Sequence, residues 1–423
     1  GPLNLNKRTF TISVLTVFVQ YYDYHLFGFL AANIASHFFP DADIIIQLLN
    51  TYFLMTMAMV ARPLGAIIFG RIGDVVGRSN SFTLSLTGSS IAAFVLFVTP
   101  SNESIGLVSA FLLLLCRMIT CALVSSGSDG VRIYIFEHIG TAKQSFGLGI
   151  TTSFVLLGTL TASLSAATFT AGYLPHYSWK FAFLLGSVCG LIVIIIMKFI
   201  GLKDQVEVKT LPKFEKFKNL SVGSIIKTNK RLFLLCTLLA GAIGSTNQFI
   251  LIFFGTYNFQ LLKTAEQSQM QKYISISIAL YMIFSVISGM IADKFGKHKV
   301  AVIASIVILL LTFAQGYYLS NLELKPILLF LTSITLPFIT ITGATILTES
   351  IPMAIRYRLF SFSHAVGSII ISSPTAFIAT FLYHKTNISW IPLCYFITTV
   401  LVISFAIYKL QKRITTDEHQ NSL

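Results

Sequence analysis

The chain alternates long apolar runs with short polar connections. Twelve of these runs are each close to the roughly 20 residues that a helix needs to cross a bilayer. Lipid offers the backbone no hydrogen-bond partners, so only helices or closed barrels can span it, and runs of this length predict helices. The pattern therefore predicts an all-α integral membrane protein with twelve transmembrane helices. The runs lie at 9–35, 44–69, 81–99, 105–136, 146–170, 178–200, 232–255, 273–292, 300–319, 326–347, 359–382 and 390–409.

One polar stretch occurs twice within this pattern. Gly70–Arg78 reads G-R-I-G-D-V-V-G-R and Gly289–Lys297 reads G-M-I-A-D-K-F-G-K, so both fit G-x-x-x-D-x-x-G-[RK]. We call them the first and the second hinge. Each follows the second apolar run of its half, which predicts two related six-helix halves. The predicted units are an N-terminal six-helix bundle over 3–200, a linker over 201–231, a C-terminal six-helix bundle over 232–409 and a tail over 410–423.

Composition supports a membrane location. Only 11% of the 423 residues are charged, 55% are hydrophobic and the mean hydropathy is +0.79, whereas soluble proteins carry about 25% charged residues. The five cysteines lie in apolar runs without paired spacing, which excludes a disulfide or metal framework. The sequence has no acidic or histidine cluster with ligand spacing and no nucleotide-binding loop. We therefore expect neither a metal nor a cofactor, and neither an enzyme nor an ATP-driven pump.

The positive charges determine the expected orientation. The net charge of +14 comes from lysines and arginines on the side that carries both termini. Such an excess marks the cytoplasmic side, so it predicts cytoplasmic termini and argues against nucleic acid as a partner. In the 201–231 linker, Phe214, Phe217 and Leu220 recur among lysines, which is typical either of a short helix on the membrane surface or of a solvated basic linker. The opposite side has only Lys180, Lys263, Lys272, Lys325 and Lys385.

Both hinges would lie on this cytoplasmic side and could form a gate. Each aspartate follows its first glycine by one helical turn, where it could face the positive N-terminus of a neighbouring helix. The later glycine permits a tight turn, and the final cation could hold an acidic partner across the gap between the halves. A simple charged turn is the alternative. The predicted gate residues are Gly70, Asp74, Gly77, Arg78, Gly289, Asp293, Gly296 and Lys297.

The duplicated hinge and the twelve runs resemble the major facilitator superfamily. Further stretches are similar to its metabolite:proton symporter family, the group of proline/betaine transporters. The resemblance implies two six-helix bundles that rock about a site near the membrane midplane. Two carboxylates usual in that family are missing here, at Gln20 and at Ser125-Ser126-Gly127. The matching stretches are Tyr22-Asp23-Tyr24, Phe27-Gly28-Phe29, Phe38-Phe39-Pro40, Arg62-Pro63-Leu64-Gly65, and Glu349, Pro352, Arg356-Tyr357 and Pro374.

Ionisable residues inside the apolar runs are candidates for proton coupling, because a charge at membrane depth is costly. Asp23 in the first run is the leading candidate, with a structural pair to an arginine as its alternative. His25 could share the proton, or could be a hydrogen-bonded structural histidine. Asp129 in the fourth run could replace the missing family glutamate. It could also pair with Arg132, three residues further along the same helix.

Polar residues of both halves are candidates for solute binding. Gln20, Asp23, Tyr24 and Phe27 are expected on one helical face. Arg117 could pair with Asp23 or hold a substrate carboxylate in bidentate fashion, whereas Arg62 is expected to support the end of the second helix. In the second half Asn247, Gln248 and His364 could contact a solute, or could join helices to each other.

These features predict a secondary active transporter, with proton-coupled symport of a small polar or zwitterionic metabolite such as an amino acid, betaine or organic acid. The alternative within transport is an exporter or facilitator of a larger drug-like or siderophore-like compound. A channel would not need the duplicated gate. The expected partners are the solute, protons and the lipid bilayer, and we expect a monomer in a bacterial inner membrane.

Overall fold

The computed structural model describes residues 7–65, 67–68, 78–200 and 221–421. In these ranges the chain is helical, and each of the twelve apolar runs forms a helix or a helix with one break. The helices are α1 (Lys7–Phe29 and Ala31–Phe38), α2 (Ile44–Ala58, continued to Gly65), α3 (Arg78–Val98), α4 (Leu107–His138), α5 (Gln144–Phe169), α6 (Lys180–Ile200), α7 (Lys230–Asn247, continued to Leu261), α8 (Gln267–Phe295), α9 (Lys297–Ser320), α10 (Pro326–Thr335 and Pro337–Ser350), α11 (Arg356–Gly367, continued to Thr386) and α12 (Ile391–Asn421).

The helices have the length and surface of membrane spans. Ten of the helices in the described ranges are long and apolar enough to cross a membrane, and a shorter apolar helix covers Thr83–Val98. Large apolar side chains point outward, for example Leu107, which is 83% exposed, and Phe199, which is 87% exposed. Such an apolar exterior is stable only against lipid. The prediction of an all-helical membrane protein is confirmed.

The two halves repeat one packing pattern. Helix α1 packs on α5, α2 on α4 and α3 on α6 in the first half. The equivalent pairs in the second half are α7 with α11, α8 with α10 and α9 with α12. The duplication predicted from the two hinges is therefore present in the arrangement of the helices.

Two helices of the second half contain wider turns. Helix α7 passes through π-helical segments at Gln248–Phe253 and Tyr257–Leu261, and α11 through one at Ser368–Ser372. Such segments leave backbone groups without their usual partners and are frequent at functional sites. Both helices contact the first half.

We call the end of the bundle where α1 begins and α12 ends the hinge side, and the opposite end the far side. The second hinge lies on the hinge side, where Gly296 joins α8 to α9 with a φ of +101° that favours glycine. Residues Gly70, Asp74 and Gly77 of the first hinge lie outside the described residues, and so does the side chain of Arg78.

The connections differ in detail from the predicted units. Phe214, Phe217 and Leu220, which suggested a surface helix, lie outside the described residues. The described end of the linker forms a short helix, Val222–Thr228, capped by Ser221. Helix α12 continues to Asn421, well beyond the predicted end at residue 409, because no glycine or proline interrupts it.

Candidate functional site

The two halves meet most extensively where α5 crosses α8. Small residues four apart let the two backbones approach: Ser145 and Gly149 on α5, Ser285 and Gly289 on α8. A Cβ atom added to Gly149 would lie 2.4 Å from the carbonyl oxygen of Ser285. One added to Gly289 would lie 2.4 Å from the carbonyl oxygen of Ser145. The crossing therefore depends on the absence of both side chains.

Asp293 of the second hinge holds the hinge side of this crossing. Its carboxylate accepts hydrogen bonds from the backbone N–H groups of Ser145 at 3.1 Å and Phe146 at 3.0 Å. These groups belong to the first turn of α5, where the helix dipole favours a negative charge. The structure thus places Asp293 at the N-terminus of a neighbouring helix, as the hinge sequence suggested, and this helix belongs to the other half.

Replacing Asp293 with asparagine is expected to weaken the hinge side. The amide keeps one acceptor oxygen but loses the charge, so we expect a loss of about 1 kcal/mol in stability of the detergent-solubilised protein. Thermal unfolding measures this change. Asp417→Asn in the exposed end of α12 is the matched control and should leave the unfolding temperature unchanged. Equal unfolding temperatures for wild type and Asp293→Asn would show that the contact contributes nothing.

Lys297 does not make the contact predicted for it. Its ammonium pairs with the carboxylate of Glu349 at the end of α10, within the second half. The prediction that this cation holds an acidic partner across the gap is therefore wrong. The reason is that α9 begins at Lys297 and packs directly on α10, so the nearest carboxylate belongs to the same half.

The halves also touch on the far side. The side-chain amide of Gln271 on α8 donates to the carbonyl oxygen of Phe29 at 3.2 Å, and Gln267 donates to Asn33 at 2.6 Å. Ser163 on α5 hydrogen-bonds Ser275 on α8 at 2.8 Å. Contacts between the described residues therefore close the space between the halves from both ends.

Helix α1 directs its polar residues toward different neighbours. Gln20 donates to Ser85 at 2.7 Å, and the carboxylate of Asp23 accepts a hydrogen bond from Ser89 at 2.7 Å, so both side chains face α3. Tyr24 instead faces α4. The prediction of one shared face is wrong, because consecutive residues are about 100° apart around a helix.

Arg117 on α4 contacts Tyr24 and Phe27 rather than Asp23. Its guanidinium donates to the carbonyl oxygen of Tyr24 at 2.8 Å and lies 4.5 Å from the centre of the Tyr24 ring. It is also 4.8 Å from the centre of the Phe27 ring, which gives two cation–π contacts. The predicted pair of Arg117 with Asp23 is not formed, since the two side chains face different helices.

His25 connects α1 to α5. A hydrogen bond of 2.7 Å joins its Nδ1 to the hydroxyl of Thr159. The imidazole also contacts the rings of Tyr21 and Tyr24, at 5.6 and 5.0 Å between ring centres. His25 therefore lies beside the aromatic group that Arg117 contacts, and apart from Asp23.

A second set of charged residues bridges α4 and α11. His364 Nδ1 lies 3.0 Å from the carboxylate of Asp129, and the two residues belong to different halves. The sequence suggested Arg132 as the partner of Asp129, whereas the hydrogen bond in the structure is with His364. Arg62 also crosses to the other half, where it donates to the hydroxyl of Ser368 at 3.1 Å instead of supporting the end of α2.

The second half contributes a neutral polar group. The hydroxyl of Tyr281 on α8 donates to the side-chain oxygen of Asn247 at 2.9 Å and hydrogen-bonds Thr340 on α10 at 2.6 Å. Gln248 is half-buried at the start of the π-helical segment of α7. The expected neutral contacts of this half thus centre on Tyr281, which connects three helices.

Comparison with known proteins decides the family. The family model described as Major Facilitator Superfamily matches residues 13–314. The chain belongs to the major facilitator superfamily. This match covers more than half of the chain and includes both hinges, which confirms the resemblance that they suggested.

Relatives within the superfamily are transporters. The glycine betaine/proline/ectoine/pipecolic acid transporter OusA of Dickeya dadantii is 24% identical over 412 residues, covering 94% of this chain and 81% of that protein. A putative proline/betaine transporter of Staphylococcus aureus is 24% identical over 420 residues, covering 95% of this chain and 87% of the relative. The prediction of a transporter rather than an enzyme is confirmed.

Solved superfamily structures share the fold. A crystal structure of the D-xylose-proton symporter has a TM-score of 0.71 at 14% identity and covers 94% of this chain and 96% of its own. A fucose transporter in an outward conformation has a TM-score of 0.64 at 11% identity, with 95% and 98% covered. The predicted fold of two six-helix bundles is confirmed.

Three hydroxyl residues that hydrogen-bond the candidate site residues were not predicted from the sequence. Ser89, Thr159 and Thr340 supply the hydrogen bonds of Asp23, His25 and Tyr281. Each is a single hydroxyl in an apolar run, and such residues commonly bond to their own helix backbone. No feature of the sequence distinguishes them from the many other buried serines and threonines.

Proposed function

We propose that the chain is a proton-coupled symporter that imports a small polar or zwitterionic metabolite by alternating access. The observation that supports this proposal is that contacts join the halves on both the hinge side and the far side, for example at Asp293 and at Gln271. Between these two ends each half carries a hydrogen-bonded polar group, around Tyr24 and Arg117 in the first half and around Tyr281 in the second. A site between these groups, near the midplane, would suit a carrier whose halves rock about it.

Asp23 is the proposed proton carrier. It is 4% exposed, and its hydrogen-bond donor is a neutral hydroxyl, that of Ser89. Within the described residues, its second carboxylate oxygen has no hydrogen-bond partner. A carboxyl group kept from water without a paired cation can take up and release a proton as its surroundings change. This environment supports a coupling role over a structural ion pair with arginine.

The proposed gate uses the contacts that close the two ends. On the hinge side, Asp293 and the Asp129–His364 pair join the halves. On the far side, Gln271 and Ser163 join them. Breaking one set while the other is kept would expose the central group to one side at a time.

Uptake into proteoliposomes tests this function. An inward proton gradient should drive accumulation of a solute such as proline or glycine betaine, the compounds in the names of the relatives. A protonophore should abolish that accumulation. Accumulation that persists with the protonophore would contradict proton symport, and export against the gradient would favour the alternative of an exporter.

We further propose that the hinge side faces the cytoplasm. Lysines and arginines concentrate there, and cytoplasmic loops carry such an excess. A fluorescent protein fused after residue 423 should therefore fluoresce in bacterial cells, whereas alkaline phosphatase at the same position should be inactive. A second fusion on the far side, within the 387–390 connection, is the control and should give the opposite pair of results. Active phosphatase at the C-terminus would reverse the orientation.

A further inference from the structure

A groove opens on the outer surface of the second half, where α8, α9 and α10 meet near the hinge side. It encloses about 420 Å³, which is within the range of small-molecule sites, about 300–1,000 Å³. Its floor is formed by Val300 and Ala304 of α9, which are 8% and 5% exposed. Its rim is formed by Phe295 and Ile303, which are 59% and 53% exposed. Because exposed apolar side chains form the rim, the groove faces lipid.

The groove lies at the break in α10. This helix is interrupted at Leu336, directly before Pro337. Proline lacks a backbone N–H and its ring clashes with the preceding turn, so it kinks or breaks a helix. Thr335 and Phe338, one from each part of α10, both line the groove. The groove is therefore a consequence of the chain's own sequence, at a point where α10 does not pack against α9 as a regular helix.

The long direction of the groove follows α9 from the hinge side into the membrane. Lys299 and Val307 both line it, and the eight residues between their positions correspond to about 12 Å along the helix. Apart from Lys299 and Thr335, the lining is apolar. The hydroxyl of Thr335 donates to the carbonyl oxygen of Leu331 at 2.8 Å, so its hydrogen is already used. The groove is thus an apolar slot with a cation at its outer end.

The outer end of the groove has a positive charge excess. Lys299 is exposed, and the ammonium of Lys294 lies 5.3 Å from the ring centre of Phe295, which lines the groove. Among the described residues, neither lysine forms an ion pair. The nearby Lys297 is paired within the second half, and Asp293 directs its carboxylate toward α5. Two lysines are therefore available to an anion at the mouth of the slot.

We propose that this groove binds an anionic phospholipid from the leaflet on the hinge side. An acyl chain would fill the apolar slot, and the phosphate group would lie against Lys299. Lipid chains are as apolar as the side chains that they contact, so the slot alone does not select one lipid from another. The lysines supply that selection, since basic pockets between transmembrane helices bind anionic headgroups. This inference does not depend on the proposed symport.

Thermal unfolding of the purified full chain, stripped of lipid in a neutral detergent, tests the proposal. Selective binding to the folded state raises the unfolding temperature. Dioleoyl phosphatidylglycerol should raise it saturably. Dioleoyl phosphatidylcholine, which has the same chains, should need a concentration at least about fivefold higher, because each lysine near the headgroup favours an anionic lipid by about that factor. Glycerol phosphate, which has no chain, should have no effect. Equal responses to the two lipids, or a response to glycerol phosphate, would overturn the proposal.

Two substitutions locate the lipid in the groove. Lys299→Gln should weaken the apparent affinity for phosphatidylglycerol about fivefold. Ile303→Trp should fill the slot and remove the saturable response. Unfolding without added lipid shows that each variant is folded. Wild-type affinity in either variant would contradict the assigned site.

Matched controls change the same residue types outside the groove. Lys409 on α12 lies 5.8 Å from the ring centre of the exposed Phe405, which repeats the arrangement of a lysine beside a phenylalanine without the slot. Ile306 on α9 is 55% exposed and does not line the groove. Lys409→Gln and Ile306→Trp should keep the wild-type affinity for phosphatidylglycerol. If they weaken it as much as the groove variants do, the effect belongs to the whole surface and the proposed site is wrong.

Discussion

Replacement of Asp23 by asparagine is expected to abolish accumulation of solute against its gradient, while exchange of solute across the membrane continues. Asparagine has nearly the same shape and can keep the hydrogen bond with Ser89, but it cannot carry a proton. Without a proton to carry, the inward proton gradient no longer drives the cycle, and uptake stops at equal concentrations. Proteoliposomes loaded with unlabelled solute measure exchange, and proteoliposomes with an imposed proton gradient measure accumulation.

The packing around Asp23 makes Asp23→Asn a specific test of the proton that this residue would carry. A Cβ atom added to Gly186 on α6 would lie 2.3 Å from Oδ1 of Asp23, so the carboxyl group fills the space against that helix. An isosteric replacement preserves this packing, and a defect in accumulation would then report the lost proton. Asp417→Asn in the exposed end of α12 is the matched control, since it removes another aspartate charge but should retain accumulation. Wild-type accumulation in Asp23→Asn would assign the proton to another group, and loss of both activities would show a packing defect.

The helices could be predicted from the sequence because their cause is local. The thickness of the bilayer sets the length of a spanning helix, so hydropathy alone places each run. The second hinge was predictable for a similar reason. Gly296 forms the turn of the short connection between α8 and α9. The position of Asp293 one helical turn after a glycine suggested that it faces a helix N-terminus, but not that this helix is α5 of the other half.

Hydrogen-bond partners that lie on different helices could not be predicted in the same way. Asp129 and His364 are 235 residues apart in the chain, and a nearer arginine on α4 offered a simpler pair. Which carboxylate meets which base depends on the crossing of α4 and α11, and that crossing depends on packing along the whole interface. The separate directions of Asp23 and Tyr24 have the same origin, because α3 and α4 lie on different sides of α1.

Arg117 and Arg62 show where single residues were identified but their contacts were not. The sequence marked Arg117 as a possible carboxylate ligand and gave Arg62 a structural role. In the fold, Arg117 donates to the carbonyl oxygen of Tyr24, and Arg62 donates to the hydroxyl of Ser368 in the other half. Such contacts depend on distances between helices that periodicity along one helix does not contain.

Substitutions at the crossing of α5 and α8 are expected to have the second large effect on transport. Alanine at Gly149 or at Gly289 should reduce transport about tenfold or more. Each new Cβ atom would lie 2.4 Å from a backbone carbonyl oxygen of the opposite half, and a backbone atom cannot rotate away as a side chain can. Overpacking of this kind costs about 1–3 kcal/mol, which corresponds to a change of about fivefold to 150-fold in the equilibrium that keeps the halves together.

The physical change should be separation of the halves rather than unfolding. Spin labels at the exposed positions 143 and 299, on opposite halves of the hinge side, would report a longer distance in Gly149→Ala and Gly289→Ala. Gly316→Ala on α9 is the matched control, because its Cβ atom would lie 3.5 Å from Leu393, an ordinary contact. It should keep both the wild-type distance and wild-type transport. An unchanged distance with normal transport in Gly149→Ala would mean that the close crossing is not required for the closed state, and the contacts of Asp129 and Asp293 would then have to hold the hinge side alone.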